Sequence, residues 1–230
     1  MLPAIYRDGH VATAVYAVPF DRARDAVAPP ELQPIEFPGR KAFAVVCCFD
    51  YLDTTLGPYR ELAVGVIVSS RRRLGSIGAL DLMSANPNTG AWLTALPVSS
   101  ELACSAGVEV FGYPKSLCRI NVRHSSSFCS ADVEDNFGSI LRLEVPLGWG
   151  PKVPVRWLVT YSRRSGQLLR TRVETRWRVT LCSGRGTRLD IQNTQHPLSL
   201  ALQQLVLPRS PLFVLHGDRF SAILRAGERI

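Results

Sequence analysis

The chain has 230 residues, 46% of them hydrophobic, and a formal net charge of +8 from 27 basic and 19 acidic side chains. This length and apolar content predict a single domain over residues 1–230 with a sizeable core. No apolar stretch is long enough to span a bilayer and no charged-then-apolar leader opens the chain. We therefore expect a cytoplasmic protein with no membrane partner.

The positive charge would suit an anionic partner, but most of the arginines are scattered along the chain. The one dense cluster, Arg71-Arg72-Arg73, is typical of a solvated loop between strands. No zinc-finger spacing, aromatic RNA-binding motif or helix-turn-helix pattern accompanies it. We therefore predict no nucleic-acid partner. The alternative is a non-enzymatic binding module that uses such basic loops to hold an anionic polymer.

The first part of the chain has the pattern of β-strands. A mixed extended segment is followed by two apolar runs short enough for buried strands, and then by one further strand. Turn-forming residues at 53–59 separate the two apolar runs. The predicted strands cover residues 11–18, 42–49, 62–68 and 91–96.

The hydrophobic period changes at residues 99–107, where two serines, an early glutamate and a closing glycine predict a short helix. Gly112-Tyr113-Pro114 then breaks the chain, because proline fixes its own φ and disfavours helical geometry in the residue before it. Lys115 follows at once, so we expect stiff, extended backbone to hold it in place.

The remainder of the chain is again mostly β. His196-Pro197 opens a second helix, since proline is favoured in the first helical turn. Many strands, two helices and no alternation of strand with helix predict an all-β or α+β barrel. These later strands cover residues 118–122, 128–133, 140–145, 155–161, 168–181, 212–216 and 219–224, with a hairpin-like loop at 162–166.

The cysteines and histidines predict neither a metal site nor a disulfide framework. None of the six cysteines forms a CxxC pair, and they are typical of small core residues in a reducing compartment. The four histidines (His10, His124, His196 and His216) lie far apart in the chain without metal-ligand spacing. We predict no metal and no cofactor.

Lys115 is unusual because only three of the 27 basic residues are lysines, and this one follows a mostly apolar run at 106–114. Arginine keeps its proton at working pH, whereas a desolvated lysine can lose it. The neutral amine can attack a carbonyl group and form a Schiff base. The alternative is a lysine on a turn whose ammonium group reaches out to water.

A set of short motifs around Lys115 resembles the acetoacetate decarboxylase family. Tyr113-Pro114-Lys115 is preceded by Gly107-x-Glu109 and, further back, by Leu56-Gly57-Pro58-Tyr59-x-Glu61. The start of the chain also fits, more loosely, with Pro3-Ala4-x-Tyr6. The resemblance extends over residues 1–145 and continues beyond them only as a pattern of strands and one helix.

The resemblance implies a mostly β, α+β fold: a closed, cone-shaped antiparallel β-barrel with a few short helices, assembled into homo-oligomers. It also implies that Lys115 is the Schiff-base residue, acetoacetate decarboxylase being the standard example of a lysine activated in this way. Glu61 corresponds to the active-site carboxylate, which would shuttle protons or orient the carbonyl oxygen. Without the resemblance, an ion pair with Arg60 or with another surface arginine is an equal alternative for Glu61. The predicted substrate-binding residues are Tyr113, Phe111, Glu109, His10 and Arg7.

The chain departs from the family pattern at several charged positions. Ser116 stands where the decarboxylases have a second lysine, so only desolvation is left to favour the neutral amine of Lys115. The family's N-terminal arginine has no clear counterpart, although Arg7 and His10 lie nearby. An acid of the second core strand falls at or near Cys47. We therefore expect a less polar pocket that suits a larger, more hydrophobic carbonyl compound.

These residues predict a carbon–carbon lyase that forms a Schiff base with a small-molecule carbonyl substrate. Three reactions remain open: decarboxylation of a β-keto acid, aldol condensation with dehydration, and a related cyclisation. A substrate of secondary metabolism fits the expected apolar pocket. The alternative is a cyclase or isomerase on the same barrel that binds its ligand without a covalent step.

Overall fold

A computed structural model describes residues 2–70 and 88–230 of the chain. The cluster Arg71-Arg72-Arg73, predicted to form a solvated loop, lies outside the described residues. Within them, β-strands dominate and three helices are present, which confirms the mostly β, α+β class. None of the described helices has both the length and the apolar character needed to cross a membrane.

The predicted elements of the first part are all present, and the strands are longer than the apolar runs that predicted them. A short helix and a two-residue strand were not predicted. The elements are β1 (Ala4–Pro19), α1 (Phe20–Asp25), β2 (Gln33–Pro34), β3 (Lys41–Thr54), β4 (Tyr59–Ser69) and β5 (Thr89–Val98).

The middle of the chain contains the predicted helix and three predicted strands, together with a three-residue strand that begins at the lysine. Its elements are α2 (Glu101–Phe111), β6 (Lys115–Leu117), β7 (Arg119–His124), β8 (Phe128–Asp135) and β9 (Gly138–Pro146).

The last part contains two long predicted strands, joined by a tight turn in which Ser165 and Gly166 both have positive φ. Two short strands were not predicted, at 188–191 and 228–229. The elements are β10 (Lys152–Arg164), β11 (Gln167–Ser183), β12 (Arg188–Ile191), α3 (Pro197–Leu205), β13 (Phe213–Gly217), β14 (Ala222–Leu224) and β15 (Glu228–Arg229).

Most of the strands belong to one large sheet in the order β2-β4-β3-β1-β13-β11-β10-β5-β6. Strand β5 pairs with β4 as well as with β10, so the strand pairings run in a ring. The pairings of β5 with β10 and with β6 are parallel, which corrects the expectation of a purely antiparallel sheet. Parallel neighbours need a long crossover connection, and β5-α2-β6 is such a strand–helix–strand unit. The prediction that strand and helix do not alternate was therefore wrong at this one place.

A second, antiparallel sheet has the order β12-β9-β8-β7 and covers the outer face of the ring. The core between the sheets joins side chains such as Ala12, Val46 and Val64 of the large sheet to Ile120 and Leu143 of the small one. This contact buries one face of β1, β3 and β4.

The inner face of the same strands carries a second core, built largely of aromatic side chains. Alternation along β4 separates the two cores: Leu62 and Val64 belong to the outer one, whereas Tyr59 and Ala63 belong to the inner one. Because side chains of a strand alternate between faces, Glu61 points to the inside of the ring together with Tyr59 and Ala63.

Candidate active site

Lys115 stands at the end of the β5-α2-β6 unit, as the first residue of β6. Helix α2 begins at the N-cap Ser100, whose side chain accepts a hydrogen bond from the backbone N–H of Ala103. It ends at Gly112, whose left-handed φ of 63° suits a residue without a Cβ. The chain then turns into β6, where Lys115 pairs with Leu96 of β5. The left-handed turn at Gly112 and the pairing of β6 with β5 thus direct the lysine into the ring.

The side chain of Lys115 lies across helix α2 at Gly107. A Cβ added to Gly107 would overlap Cδ of Lys115 and would lie 2.5 Å from its Cε. Gly107 belongs to the buried stripe of α2, between Ala103 and Phe111, each four residues away. The absence of a side chain at this position is what allows the lysine to pass the helix.

The amine of Lys115 ends beside the carboxylate of Glu61. Its Nζ donates a hydrogen bond to Glu61 Oε2 over 2.8 Å, and the two side chains are 4% and 9% exposed. The alternative partner, Arg60, instead pairs with Asp50 at 2.9 Å. Two charges removed from water carry a large desolvation cost, which a direct contact and further hydrogen bonds offset.

Tyrosine side chains surround this pair. Nζ of Lys115 lies 5.4 Å from the centre of the Tyr59 ring, and the Tyr51 hydroxyl donates to Glu61 Oε1 over a long 3.4 Å. The hydroxyls of Tyr6 and Tyr59 are 2.9 Å apart. Burial, and after it the Glu61 carboxylate, raises the pKa of Tyr6, Tyr51 and Tyr59 above the usual range. These phenols are therefore neutral and able to donate protons or hydrogen bonds.

Phe111 and Tyr113, two of the predicted substrate-binding residues, stack on each other at 5.4 Å in the inner core. The Tyr113 hydroxyl is 2.7 Å from Thr160 Oγ1 of β10. Burial raises the pKa of Tyr113 to about 12. The pair ties the end of α2 to β10 and closes one side of the site.

Arg7 and Glu109 are not brought to the lysine. Arg7 makes an ion pair with Asp53 at 2.9 Å, and both side chains are more than half exposed. Glu109 lies on the exposed side of α2, where its backbone carbonyl accepts a hydrogen bond from Arg164. Arg7 follows the inward-facing Tyr6 along β1, and Glu109 lies on the opposite side of α2 from the buried Gly107 and Phe111.

His10 is also placed away from the lysine, on the outer face of the ring. Its ring stacks on that of His124 in β7, a strand of the small sheet, at 4.3 Å. The register of β1 explains this: Val11 belongs to the inner core, and irregular pairing around Asp8 shifts the alternation relative to Tyr6. Neither Arg7 nor His10, the two residues suggested to bind a substrate carboxylate, therefore lies in the inner site.

Ser116 and Cys47, the two uncharged departures from the family pattern, differ in position. Ser116 is exposed, on the side of β6 away from Lys115. Cys47 lies in the inner region and accepts a hydrogen bond from Thr13. Burial, with a smaller effect of Glu61, raises the pKa of the Cys47 thiol to about 11. The thiol is therefore neutral, as expected for a less polar pocket.

Three aromatic residues of the inner site were not predicted from the sequence: Tyr51, Trp177 and Phe220. Tyr51 lies directly opposite Tyr59 across the β3–β4 pair, so the register around the turn at 53–59 could have revealed it. Phe220 packs against both Tyr51 and Trp177, with ring centres 5.9 and 5.4 Å apart. It comes from the connection between β13 and β14, and no local pattern marks it.

A buried lysine–carboxylate pair thus lies inside a ring of β-strands. The sequence profile of the family described as Acetoacetate decarboxylase (ADC) matches residues 1–164. The chain therefore belongs to the acetoacetate decarboxylase family, and this membership supports an enzyme of the lyase type. A search of curated proteins finds no significant match to the sequence.

Solved structures of this family share the fold at low sequence identity. One acetoacetate decarboxylase is 18% identical, with a TM-score of 0.72 over 100% of this chain and 90% of its own. That of Legionella pneumophila subsp. pneumophila str. Philadelphia 1 is 14% identical, with a TM-score of 0.70 over 99% of this chain and 87% of its own. The enduracididine biosynthesis enzyme MppR, complexed with pyruvate, is 14% identical, with a TM-score of 0.70 over 99% and 90%. The similarity in fold thus extends beyond residue 164 to nearly the whole chain.

Proposed function

We propose that this protein is a carbon–carbon lyase in which Lys115 forms a Schiff base with a carbonyl substrate. The observation that supports this most strongly is the buried contact of 2.8 Å between Lys115 Nζ and Glu61 Oε2. It gives the amine a proton acceptor within hydrogen-bond distance, in a site closed off from water.

The contact suggests how the amine becomes a nucleophile. Transfer of one proton from Nζ to Oε2 converts two buried charges into a neutral amine and a neutral carboxylic acid. The amine adds to the substrate carbonyl, and Glu61 returns its proton to the departing hydroxyl. Water leaves and an iminium remains on Lys115. Glu61 is then again a carboxylate, ready to act as a base.

The iminium can serve either of two lyase reactions. In a β-keto acid, the bond to the carboxyl carbon breaks, its electron pair moves to the iminium nitrogen, and CO₂ leaves an enamine. In aldol chemistry, Glu61 removes a proton from the adjacent carbon, and the resulting enamine adds to an aldehyde before water is lost. MppR has been solved with the condensation product of pyruvate and imidazole 4-carboxaldehyde, a precedent on this fold for the second route.

The walls of the site favour a large, weakly polar substrate. Side chains of the inner core include Tyr6, Tyr51, Phe220 and Trp177, and the nearby Cys47 is uncharged. Aromatic walls bind flat, apolar groups, whereas a small keto acid needs a cation for its carboxylate. We propose a substrate of secondary metabolism that is larger than acetoacetate.

The resemblance to the family also supports proposals about the barrel, the domain and the working form of the protein. The ring of pairings through β4 and β5 would be the closed, cone-shaped barrel of the family, formed by a single domain over residues 1–230. Homo-oligomers in the cytoplasm would be its working form.

Borohydride trapping tests the covalent step. The protein is incubated with pyruvate, acetoacetate or an aryl methyl ketone, reduced with sodium borohydride, and mapped by mass spectrometry. We expect the mass of one reduced adduct on the peptide that contains Lys115. Lys41 and Lys152, the other lysines of the chain, serve as internal controls, and a Lys115→Met variant should give no adduct.

A second function has one observation in its favour: an ammonium held by Glu61 can act as a fixed charge rather than as a nucleophile. The protein would then be a cyclase or isomerase that folds an apolar ligand without a covalent step. Equal labelling of all three lysines, or no label on Lys115 with any of these carbonyl compounds, would support this function and reject the Schiff base. Ligand binding retained in Lys115→Ala would support it further.

A further inference from the structure

Two histidines and an aspartate meet on the outer face of the ring, away from Lys115. His10 comes from β1, His124 is the last residue of β7, and Asp218 follows β13 directly. His10 Nδ1 is 3.0 Å and His124 Nε2 is 3.7 Å from the same oxygen, Asp218 Oδ1. One nitrogen of each ring and a carboxylate oxygen all lie within 4.8 Å of one another.

His124 supplies a second observation. Its Nε2 is buried and has no hydrogen-bond partner, because 3.7 Å from Asp218 is too long for a hydrogen bond. Leaving a buried polar atom without a partner costs about 1–3 kcal/mol. The two imidazole rings are nearly parallel, at 13°, and neither of them donates to the other. A ligand that accepts electron pairs from all three side chains would remove this cost.

We propose that His10, His124 and Asp218 form a binding site for a divalent transition metal ion, with Zn²⁺ as the best match. Two imidazole nitrogens and one carboxylate oxygen are ligand types that zinc prefers. Zinc bonds to nitrogen and oxygen are about 2.0–2.2 Å long, so the ligand atoms of a tetrahedral ion lie about 3.3–3.6 Å apart. The separations of 3.0 and 3.7 Å are within a few tenths of an ångström of this spacing. The two ring nitrogens lie within 4.8 Å of each other.

The ion would have an open position towards solvent. The Asp218 side chain is 65% exposed, and three protein ligands leave a fourth place for water, as in zinc sites that are not purely structural. His216 lies opposite Ala12 in the pairing of β1 with β13, on the same face of the sheet. Its Nε2 is 2.9 Å from the carbonyl oxygen of Gly148. A third histidine thus lines the edge of the site without being one of its three ligands.

Metal binding here would join the two sheets. His10 and Asp218 belong to the large sheet and its connections, whereas His124 belongs to the small sheet. The three ligands are separated by more than ninety residues at each step along the chain, so only the folded protein brings them together. Zinc would then bind the native state alone and raise its stability. It would leave the chemistry of Lys115 on the inner face unaffected.

The test is zinc binding by the full-length protein after chelation and dialysis. Calorimetric titration with ZnCl₂ should show one ion per chain, and the melting temperature should rise with zinc. His124→Gln and Asp218→Asn should each weaken binding roughly tenfold or more and remove the rise in melting temperature. His196→Asn is the matched control, because asparagine preserves the N-cap that His196 provides to α3.

Cobalt distinguishes this site from the cysteines of the chain. Co²⁺ should give a visible spectrum of nitrogen and oxygen ligation, without a thiolate charge-transfer band. The proposal is overturned if the wild-type protein binds no zinc, if both variants bind zinc as the wild type does, or if the cobalt spectrum shows thiolate ligation. Because Asp218 is exposed, we expect the Asp218→Asn protein to fold. It therefore tests the proposal even if His124→Gln disturbs the packing between the sheets.

Discussion

The contact between Lys115 and Glu61 is the residue-scale feature on which the chemistry depends. Both side chains are largely shielded from bulk water, and the nearby hydroxyls of Tyr6 and Tyr59 hydrogen-bond to each other. Each charge therefore depends mainly on the other for its stabilisation. Such a pair contributes little to net stability compared with an apolar pair, but breaking it leaves one buried charge alone.

A double-mutant cycle tests this mutual dependence. We expect Lys115→Met and Glu61→Gln each to lower the free energy of unfolding by about 3–5 kcal/mol, because each leaves the other charge buried without its partner. The double variant should lose clearly less than the sum of the two, since no charge remains inside. Urea denaturation measures all four proteins. Additive losses would show that the two side chains do not depend on each other.

At the scale of elements, the β5-α2-β6 unit brings the lysine to the carboxylate. The helix supplies a stiff support, and the left-handed turn at Gly112 reverses the chain into β6. Gly107 is the point where helix and lysine cross. Geometry within this unit, rather than any single hydrogen bond, therefore sets the position of Nζ.

Gly107→Ala should move the amine while leaving the fold intact. The added methyl group occupies the path of the Lys115 side chain, so the lysine has to take another rotamer. Displacement of a reacting atom by about 1 Å costs roughly 100-fold in rate, and we expect a loss of that order in the rate of borohydride-trappable adduct formation. The gain in helix propensity, about 1 kcal/mol, offsets part of the strain, so the melting temperature should change little.

Ser105→Ala is the matched control for this substitution. Ser105 lies on the exposed side of the same helix, where a change in helix propensity adds no atom near Lys115. Adduct formation in this variant should equal that of the wild type. A Gly107→Ala protein that forms the adduct at the wild-type rate would show that the helix does not position the amine.

At the scale of the whole molecule, two cores on the two faces of one sheet account for the burial of the tyrosines. All six tyrosines of the chain have a pKa above the usual value, with burial as the largest cause in each. For Tyr16 and Tyr113 the value is about 12. The buried thiols of Cys47 and Cys48 are shifted in the same direction.

These shifts predict a loss of stability at alkaline pH. Below pH 10 the phenols keep their protons in both states, so their contribution is fully present. Above it the unfolded chain releases protons that the folded chain retains, and the free energy of unfolding falls as pH rises towards about 12. The loss approaches about 1.4 kcal/mol per pH unit for each tyrosine. Urea denaturation between pH 9 and pH 11, followed together with tyrosinate absorbance, measures it. Reversible tyrosinate formation near pH 10 in the folded protein would contradict the prediction.

Several features of the fold could be predicted because they depend on neighbours in the sequence. Apolar runs at 42–49 and 62–68 became β3 and β4, and the serines at 99–100 start helix α2. The pairing of β5 with β10 could not be predicted in the same way. It pairs Ala91 with Thr160, residues about seventy positions apart, and no local pattern records which strand edges meet.

The placement of some site residues likewise follows from local sequence, whereas that of others depends on strand register. Tyr113 and Phe111 follow the local course of helix and turn into the inner core. Arg7 and His10 were expected near the substrate, but the irregular pairing around Asp8 decides which face each side chain of β1 occupies. A shift of one residue in a strand exchanges inside for outside, and sequence periodicity alone does not detect a bulge.

The sequence by itself determined the longer strands, the helices that begin near Ser100 and His196, and the family, because these depend on short local motifs. Only the tertiary structure decided that Lys115 meets Glu61, 54 positions earlier, inside a ring of aromatic side chains. It also brought His10 and His124 together on the opposite face. Contacts of this kind depend on strand register and on the packing of two sheets, which act over distances that no local pattern of residues encodes.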